Sequence, residues 1–147
     1  MFLEGPRCSS LDIDSKTEIK EKDNLVSKLT QLAFNSQPKN SDKSPHETVE
    51  DFFLINDSNT VCTELPVFIN PSETDLDVDD PITGHIDLVQ IRYDDLYILD
   101  YKPNLNQPER YTSQLQLYKK AIQERTSIPE DKIHTAVFNE YDYYEYS

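Results

Sequence analysis

The sequence predicts a mixed α/β fold, and three observations carry that prediction. Five short runs rich in β-branched and aromatic residues are bounded by turn signals. Three other segments carry helical spacing or helix-start chemistry. The 147 residues, 36 % hydrophobic and 29 % charged, suffice for one compact core.

The elements follow in chain order. Residues 1–23 read as a polar, charge-mixed arm, weakly structured at most. Leu25, Leu29, Leu32 and Ala33 recur at helical spacing and predict a short helix over about 24–35. Residues 36–43 are a linker by composition, so 1–43 form an N-terminal arm and 44–147 the domain proper. Ser44-Pro45-His46-Glu47 opens a second helix, with Ser44 as N-cap, Pro45 first in the helix and Glu47 closing a capping box. Residues 61–69 form the first strand. The acidic run 72–80 is a solvated connector; its Asp75, Asp77 and Asp79 lack the glycine and terminal glutamate of a calcium loop.

Residues 85–91 and 96–102 are strands of a β-hairpin around Tyr93-Asp94-Asp95. A helix bearing Gln114 and Tyr118 follows, and their i,i+4 spacing sets both on one face. Strands over 133–138 and 141–146, separated by Asn139-Glu140, close the chain. All nine tyrosines lie after residue 92. Tyr141, Tyr143, Tyr144 and Tyr146 read as an amphipathic strand with alternate rings packed, rather than as a platform for bases.

Chemistry concentrates in the hairpin. Side chains two apart on a strand share a face, so Asp100 and Lys102 point the same way, and the neighbouring strand can bring Asp87 beside them. Magnesium takes oxygen ligands, commonly one or two carboxylates plus waters and substrate phosphates. A lysine beside such a site can serve a water or screen charge at phosphorus. Phosphodiester hydrolysis is the reaction these parts suit best.

At these residues the sequence resembles the PD-(D/E)XK nuclease superfamily. Asp87, followed after twelve residues by Asp100-Tyr101-Lys102, looks like its signature. Gly84-His85-Ile86-Asp87-Leu88-Val89, Ile98-Leu99-Asp100-Tyr101-Lys102 and Gln114-Leu115-Gln116-Leu117-Tyr118 are similar to the RecB-like branch, the last matching its Q-x-x-x-Y element. The likeness covers roughly residues 60–125. It implies a central mixed β-sheet of about five strands flanked by helices, a restriction-endonuclease-like core. It also implies metal-dependent DNA cleavage with Mg2+ or Mn2+, as an exonuclease in repair, recombination or replication. Asp87, Asp100 and the Tyr101 backbone carbonyl would bind metal, Lys102 would serve the water, and Gln114 and Tyr118 would contact DNA or brace the site.

Members of this branch commonly add a histidine or acid from an upstream helix. His46 and Glu50 are the nearest candidates, on one helical face; a solvated first turn is the plainer account of His46. Glu64, an acid in an apolar strand, needs a partner if buried and is the better extra ligand, with edge-strand exposure beside Pro66 as the alternative. His85 shares a strand face with Asp87, though a solvent-facing strand entry suits it equally.

The net charge is −14, which argues against simple coating of DNA. Residues 1–80 carry a net −10, whereas residues 102–132 carry +2. Arg110, Lys119 and Lys120 in that basic segment could grip phosphates, although a solvated helix face is the commoner meaning. The expected partners are DNA, single-stranded or at duplex ends, and a protein such as a helicase, with no membrane. Two cysteines, Cys8 and Cys62, are too few for the four-cysteine iron–sulfur cluster of some RecB-like nucleases. No signal peptide is visible and no run approaches membrane-spanning length, so the cytoplasm is the expected location. The alternative reading is a non-catalytic module of nuclease fold that binds a protein partner.

Overall fold

The computed structural model describes residues 5–12 and 17–147. Its frame is a six-stranded mixed sheet built from β1 (Ile19–Glu21), β2 (Thr60–Ile69), β3 (Ile82–Arg92), β4 (Asp95–Tyr101), β5 (Ile133–Phe138) and β6 (Tyr143–Tyr146). The strand order is β1-β6-β5-β4-β3-β2. Only β4 and β5 run parallel; every other neighbour is antiparallel. That parallel step needs a crossover, and α3 (Thr112–Arg125) supplies it. Helices α1 (Leu25–Asn35) and α2 (Pro45–Asn56) complete the fold.

Two apolar layers sandwich the sheet. Leu115, Tyr118, Ala121 and Ile122 of α3, at helical spacing, pack with Ile86, Val89, Ile98 and Val137. On the other layer Val26 of α1 and Val49 and Phe53 of α2 pack with Leu88, Leu99, Ala136 and Phe138. The alternation Leu88/Val89 and Ile98/Leu99 between layers is the period-two signature of strands covered on both faces. The β3–β4 hairpin turns at Tyr93 and Asp94, with φ of 51° and 68°, the paired left-handed conformation of a type I′ turn.

Four expectations need correction. The sheet has a sixth strand, because β1 adds to β6 with Ile19 opposite Tyr146 and Glu21 opposite Tyr144. The expected arm is accordingly not loose where it is described: Cys8 is fully buried, and Val26 of α1 shares a core with α2. Residues 1–4 and 13–16 of that arm lie outside the described residues. In α1 the buried side chains are Val26, Ser27, Thr30 and Ala33, while Leu25 and Leu32 are 64 % and 52 % exposed. The last strand starts at Tyr143, not Tyr141, because Asn139 Oδ1 accepts the amides of Tyr141 and Asp142 and holds a turn there. Tyr143 and Tyr146 are buried, in opposite layers, and Tyr141 is exposed. Ser44 caps α2 as expected, accepting the Glu47 amide at 3.2 Å and donating to its carboxylate.

Candidate metal centre at a fork between two strands

The pairing of β3 with β4 runs from Arg92–Asp95 to Leu88–Leu99 and stops. Beyond it β3 continues on β2, to the Ile69–Ile82 pair, and β4 continues on β5, to Tyr101–Phe138. Asp87 and Asp100 are the next residues past the last rung, so they sit where the strands part. Asp87 Oδ2 bridges the fork by accepting the Tyr101 backbone N–H at 2.8 Å. The Lys102 amide in turn donates to Phe138 O at 3.0 Å, holding the end of β4 on β5.

The sequence trio therefore converges. Asp100 is 2 % exposed, and Lys102 Nζ lies 2.8 Å from its Oδ2. That oxygen nevertheless has no hydrogen-bond donor aimed at it: the ammonium is near enough for an ion pair but lies off the direction of a hydrogen bond. Asp87 and Asp100 face each other within proton-sharing reach. Burial first, then the Asp100 charge, pushes the Asp87 carboxyl up to about 9, against the opposing pull of the Tyr101 amide.

Three further groups close the surroundings. His46 Nε2, on the first turn of α2, donates to Tyr101 O at 3.0 Å and lies 3.7 Å from Asp87 Oδ2. Its ring meets the Tyr101 ring edge-on at 5.0 Å, while 43 % of the side chain stays exposed. Glu50, one turn later and 5 % exposed, is raised to about 8 by burial and by Glu64, with which it shares a hydrogen bond; its charge also reaches Asp87. Glu64 lies on edge strand β2 and is exposed, in line with the edge-strand alternative, while its carboxyl shares a hydrogen bond with Glu50. Its φ of 49° is left-handed, a conformation that costs a non-glycine residue on the order of 1–3 kcal/mol.

Gln114 and Tyr118 come together as a relay. Gln114 Nε2 donates to Tyr118 Oη at 2.8 Å, and Tyr118 Oη donates to His85 O at 2.8 Å. Both residues are buried, which places them as braces of the strand two residues before Asp87 rather than as surface contacts. Gly84 makes room for this: a Cβ there would lie 2.7 Å from Tyr118 Cε1 and 3.1 Å from Cys8 Sγ. His85 itself turns to Arg7, with Nδ1 3.1 Å from Nη2. Lys119 pairs with Glu130 at 3.7 Å and Lys120 with Glu124 at 2.7 Å. Lys119 also lines a recess with Ile133 and His134, toward the opposite end of β4 from Asp100. Arg110 stands exposed in the segment after Lys102, without an ion-pair partner among the described residues.

One neighbour, Tyr111, carries no assignment from the sequence, and Glu50 carries only a weak one. Glu50 was visible only as the i,i+4 companion of His46. Tyr111, whose ring lies 4.9 Å from Lys102 Nζ, gives no signal in the sequence beyond being aromatic.

The donor set fits a hard divalent cation. Asp87 and Glu50 hold their protons because the site is buried and ionised acids this close repel, and a divalent cation would favour their ionised, ligating form. Oxygen donors suit magnesium and manganese. Among the described residues no group of three or more His, Cys, Asp or Glu side chains is arranged to hold an ion. Magnesium asks for fewer, since one or two carboxylates with waters and substrate oxygens complete its shell. Both cysteines are free, and burial pushes the Cys8 thiol up to about 12. No helix among the described residues is long and apolar enough to cross a membrane. No protein-family model matches the chain, and no curated protein does.

Proposed function

We propose that the protein is a divalent-cation-dependent nuclease that hydrolyses DNA phosphodiester bonds at the fork between β3 and β4. The observation that carries this reading is the buried Asp100 Oδ2, with Asp87 facing it, Lys102 Nζ at 2.8 Å and no hydrogen-bond donor of its own. Asp87, Asp100 and the Tyr101 carbonyl would hold Mg2+ or Mn2+, with His46 beside them and Glu64, through Glu50, on the α2 side. Held by these residues, such a cation would supply Lewis acidity at a phosphoryl oxygen and at a water.

The chain's own residues do the rest. Lys102, tethered between the Asp100 carboxylate and the Tyr111 ring, orients the attacking water and offsets negative charge growing at phosphorus. Tyr118 and Gln114 hold β3 so that Asp87 stays at the fork. Arg110 meets the DNA backbone. In this reading the substrate is a DNA strand, single or at a duplex end, met in repair, recombination or replication.

The test is digestion of linear single-stranded, linear duplex and closed circular DNA with magnesium or manganese, beside a Lys102→Ala variant of unchanged melting temperature. Metal-dependent loss of linear DNA by wild type alone supports an exonuclease; cutting of the circle as well makes it an endonuclease. Full activity of Lys102→Ala contradicts the assignment.

The net charge of −14 and the exposed Leu54 and Ile55 of α2 (48 % and 78 %) favour a second reading. In it the same fold is a non-catalytic module for a protein partner, such as a helicase. Calorimetry separates the two: no affinity for either cation, with Asp87→Ala behaving as wild type, supports the module.

A further inference from the structure

The segment leaving β4 carries a polar recess beside Lys102 whose carboxamides, those of Asn104, Asn106 and Gln107, have no part in the proposed cleavage. It encloses about 260 Å3 and is lined by Asn104, Asn106, Gln107, Arg110 and Tyr111. Tyr111 joins it to the fork, since the same ring lies 4.9 Å from Lys102 Nζ.

The segment is anchored at several points. Asn139 Nδ2 donates to Pro103 O at 3.2 Å, Tyr111 Oη donates to Asn104 O at 3.2 Å, and Tyr146 Oη donates to Pro108 O. Leu105 is buried in the α3 layer. The Asn104 side chain accepts the Asn106 amide at 2.9 Å and tightens the turn. Yet the side-chain carboxamides of Asn106 and Gln107 and the guanidinium of Arg110 take no part in this anchoring. The anchored backbone thus presents two carboxamides, one guanidinium and one aromatic ring around a small recess, so that binding has to order the exposed side chains but not the loop that carries them.

We infer that this recess is a nucleobase subsite that receives an unpaired purine of the strand whose phosphate lies at the fork. The inference rests on the nuclease reading for its placement, and on the chemistry of the recess for its ligand. Asparagine and glutamine pair with the N6 and N7 of adenine, arginine with the O6 and N7 of guanine, so all three side chains match the purine N7 edge. An aromatic ring adds stacking surface for a splayed base. The volume lies below the roughly 300–1,000 Å3 of pockets that engulf a whole small ligand, as suits one planar group delivered by a longer chain.

The experiment is fluorescence anisotropy of end-labelled octamers (oligodeoxyadenylate, oligothymidylate and an all-abasic strand) with the full chain in chelator at low salt. The comparison is a double variant, Asn106→Ala with Gln107→Ala, whose altered residues are exposed and outside the fork. Wild type should bind the adenylate strand on the order of tenfold tighter than the abasic strand. The double variant should lose most of that ratio while keeping its melting temperature. Equal binding of all three strands by wild type, absence of binding, or an unchanged ratio in the variant would overturn the inference. Cleavage of DNA without base preference removes the subsite and leaves the nuclease; base preference without cleavage removes the nuclease and leaves the subsite.

Discussion

The Asp87 carboxylate accepts the backbone N–H of Tyr101 at 2.8 Å, so the acid on one strand completes the hydrogen bonding of the other at the point where the sheet opens. Tyr101 would otherwise point a buried donor into the fork. This one contact joins structure and chemistry: it fixes the carboxylate against Asp100, and it turns the Tyr101 carbonyl toward His46.

Asparagine can replace that acceptor, and alanine cannot. Asp87→Asn should fold with a melting temperature near or above that of wild type at neutral pH, because it also removes a costly buried acid. Asp87→Ala should lose about 1–3 kcal/mol, the cost of an unsatisfied buried donor. Denaturant unfolding of the two variants checks this; equal losses would mean that the Tyr101 contact is not what Asp87 contributes to stability.

The acids at the fork set a pH dependence with a definite sign. Folded, metal-free protein keeps Asp87 protonated up to about 9 and Glu50 up to about 8, whereas unfolded carboxyls release their protons near pH 4. Between those limits the folded state holds more protons than the unfolded state, so stability falls as pH rises through the window. Melting in chelator should therefore occur at lower temperature near pH 8 than near pH 5.5, and Asp87→Asn should show a shallower slope. Manganese should raise the melting temperature more at the higher pH, where it displaces fewer protons. A slope identical in wild type and Asp87→Asn would remove Asp87 as its source.

A pair on the far edge gives the opposite sign at lower pH. Arg125 lies 2.6 Å from both Glu73 carboxylate oxygens and over the Phe68 ring at 4.0 Å, and this hydrogen bonding holds Glu73 down to about 2. Its contribution is complete above the ordinary glutamate range and is lost as pH falls toward about 2. Glu73→Gln should leave the melting temperature nearly unchanged when measured below about pH 2, and lower it at neutral pH. Loss of the same size at both would show that the carboxylate's charge is not involved.

Gly84 and Tyr118 should prove inseparable. Adding a methyl group at Gly84 drives into the Tyr118 ring and Cys8, so Gly84→Ala should cost about 1–3 kcal/mol through overpacking. Tyr118→Phe leaves the His85 carbonyl and the Gln114 amide without their partner and should cost a similar about 1–3 kcal/mol. Unfolding curves for the single variants and the pair test the coupling: simple additivity would mean that the ring and the glycine do not share a site.

What the sequence made legible was local and periodic. Period-two alternation around Asp87 and Asp100, with the turn residues Tyr93 and Asp94, was enough to place the trio in one hairpin. The i,i+4 spacing was enough to pair Gln114 with Tyr118. The rest depends on tertiary choices that leave no period behind. β1 is three residues held by backbone bonds to β6, and Cys8 is placed by a gap over Gly84. In α1 the predicted stripe holds at Ala33 and Leu29, which face the core, but Leu25 and Leu32 give way to Val26 and Thr30. The burial of Glu50 was hidden for the same reason: a helical acid looks solvated until the strand beneath it supplies Glu64.

Release of nucleotides from a linear DNA in manganese, by wild type and by Asp87→Asn of verified fold, tests the central claim most directly. Wild type should degrade the DNA only with the cation present, and Asp87→Asn should degrade none. Cleavage at the wild-type rate by Asp87→Asn would contradict it, since the fork would then not be where the phosphodiester is cut.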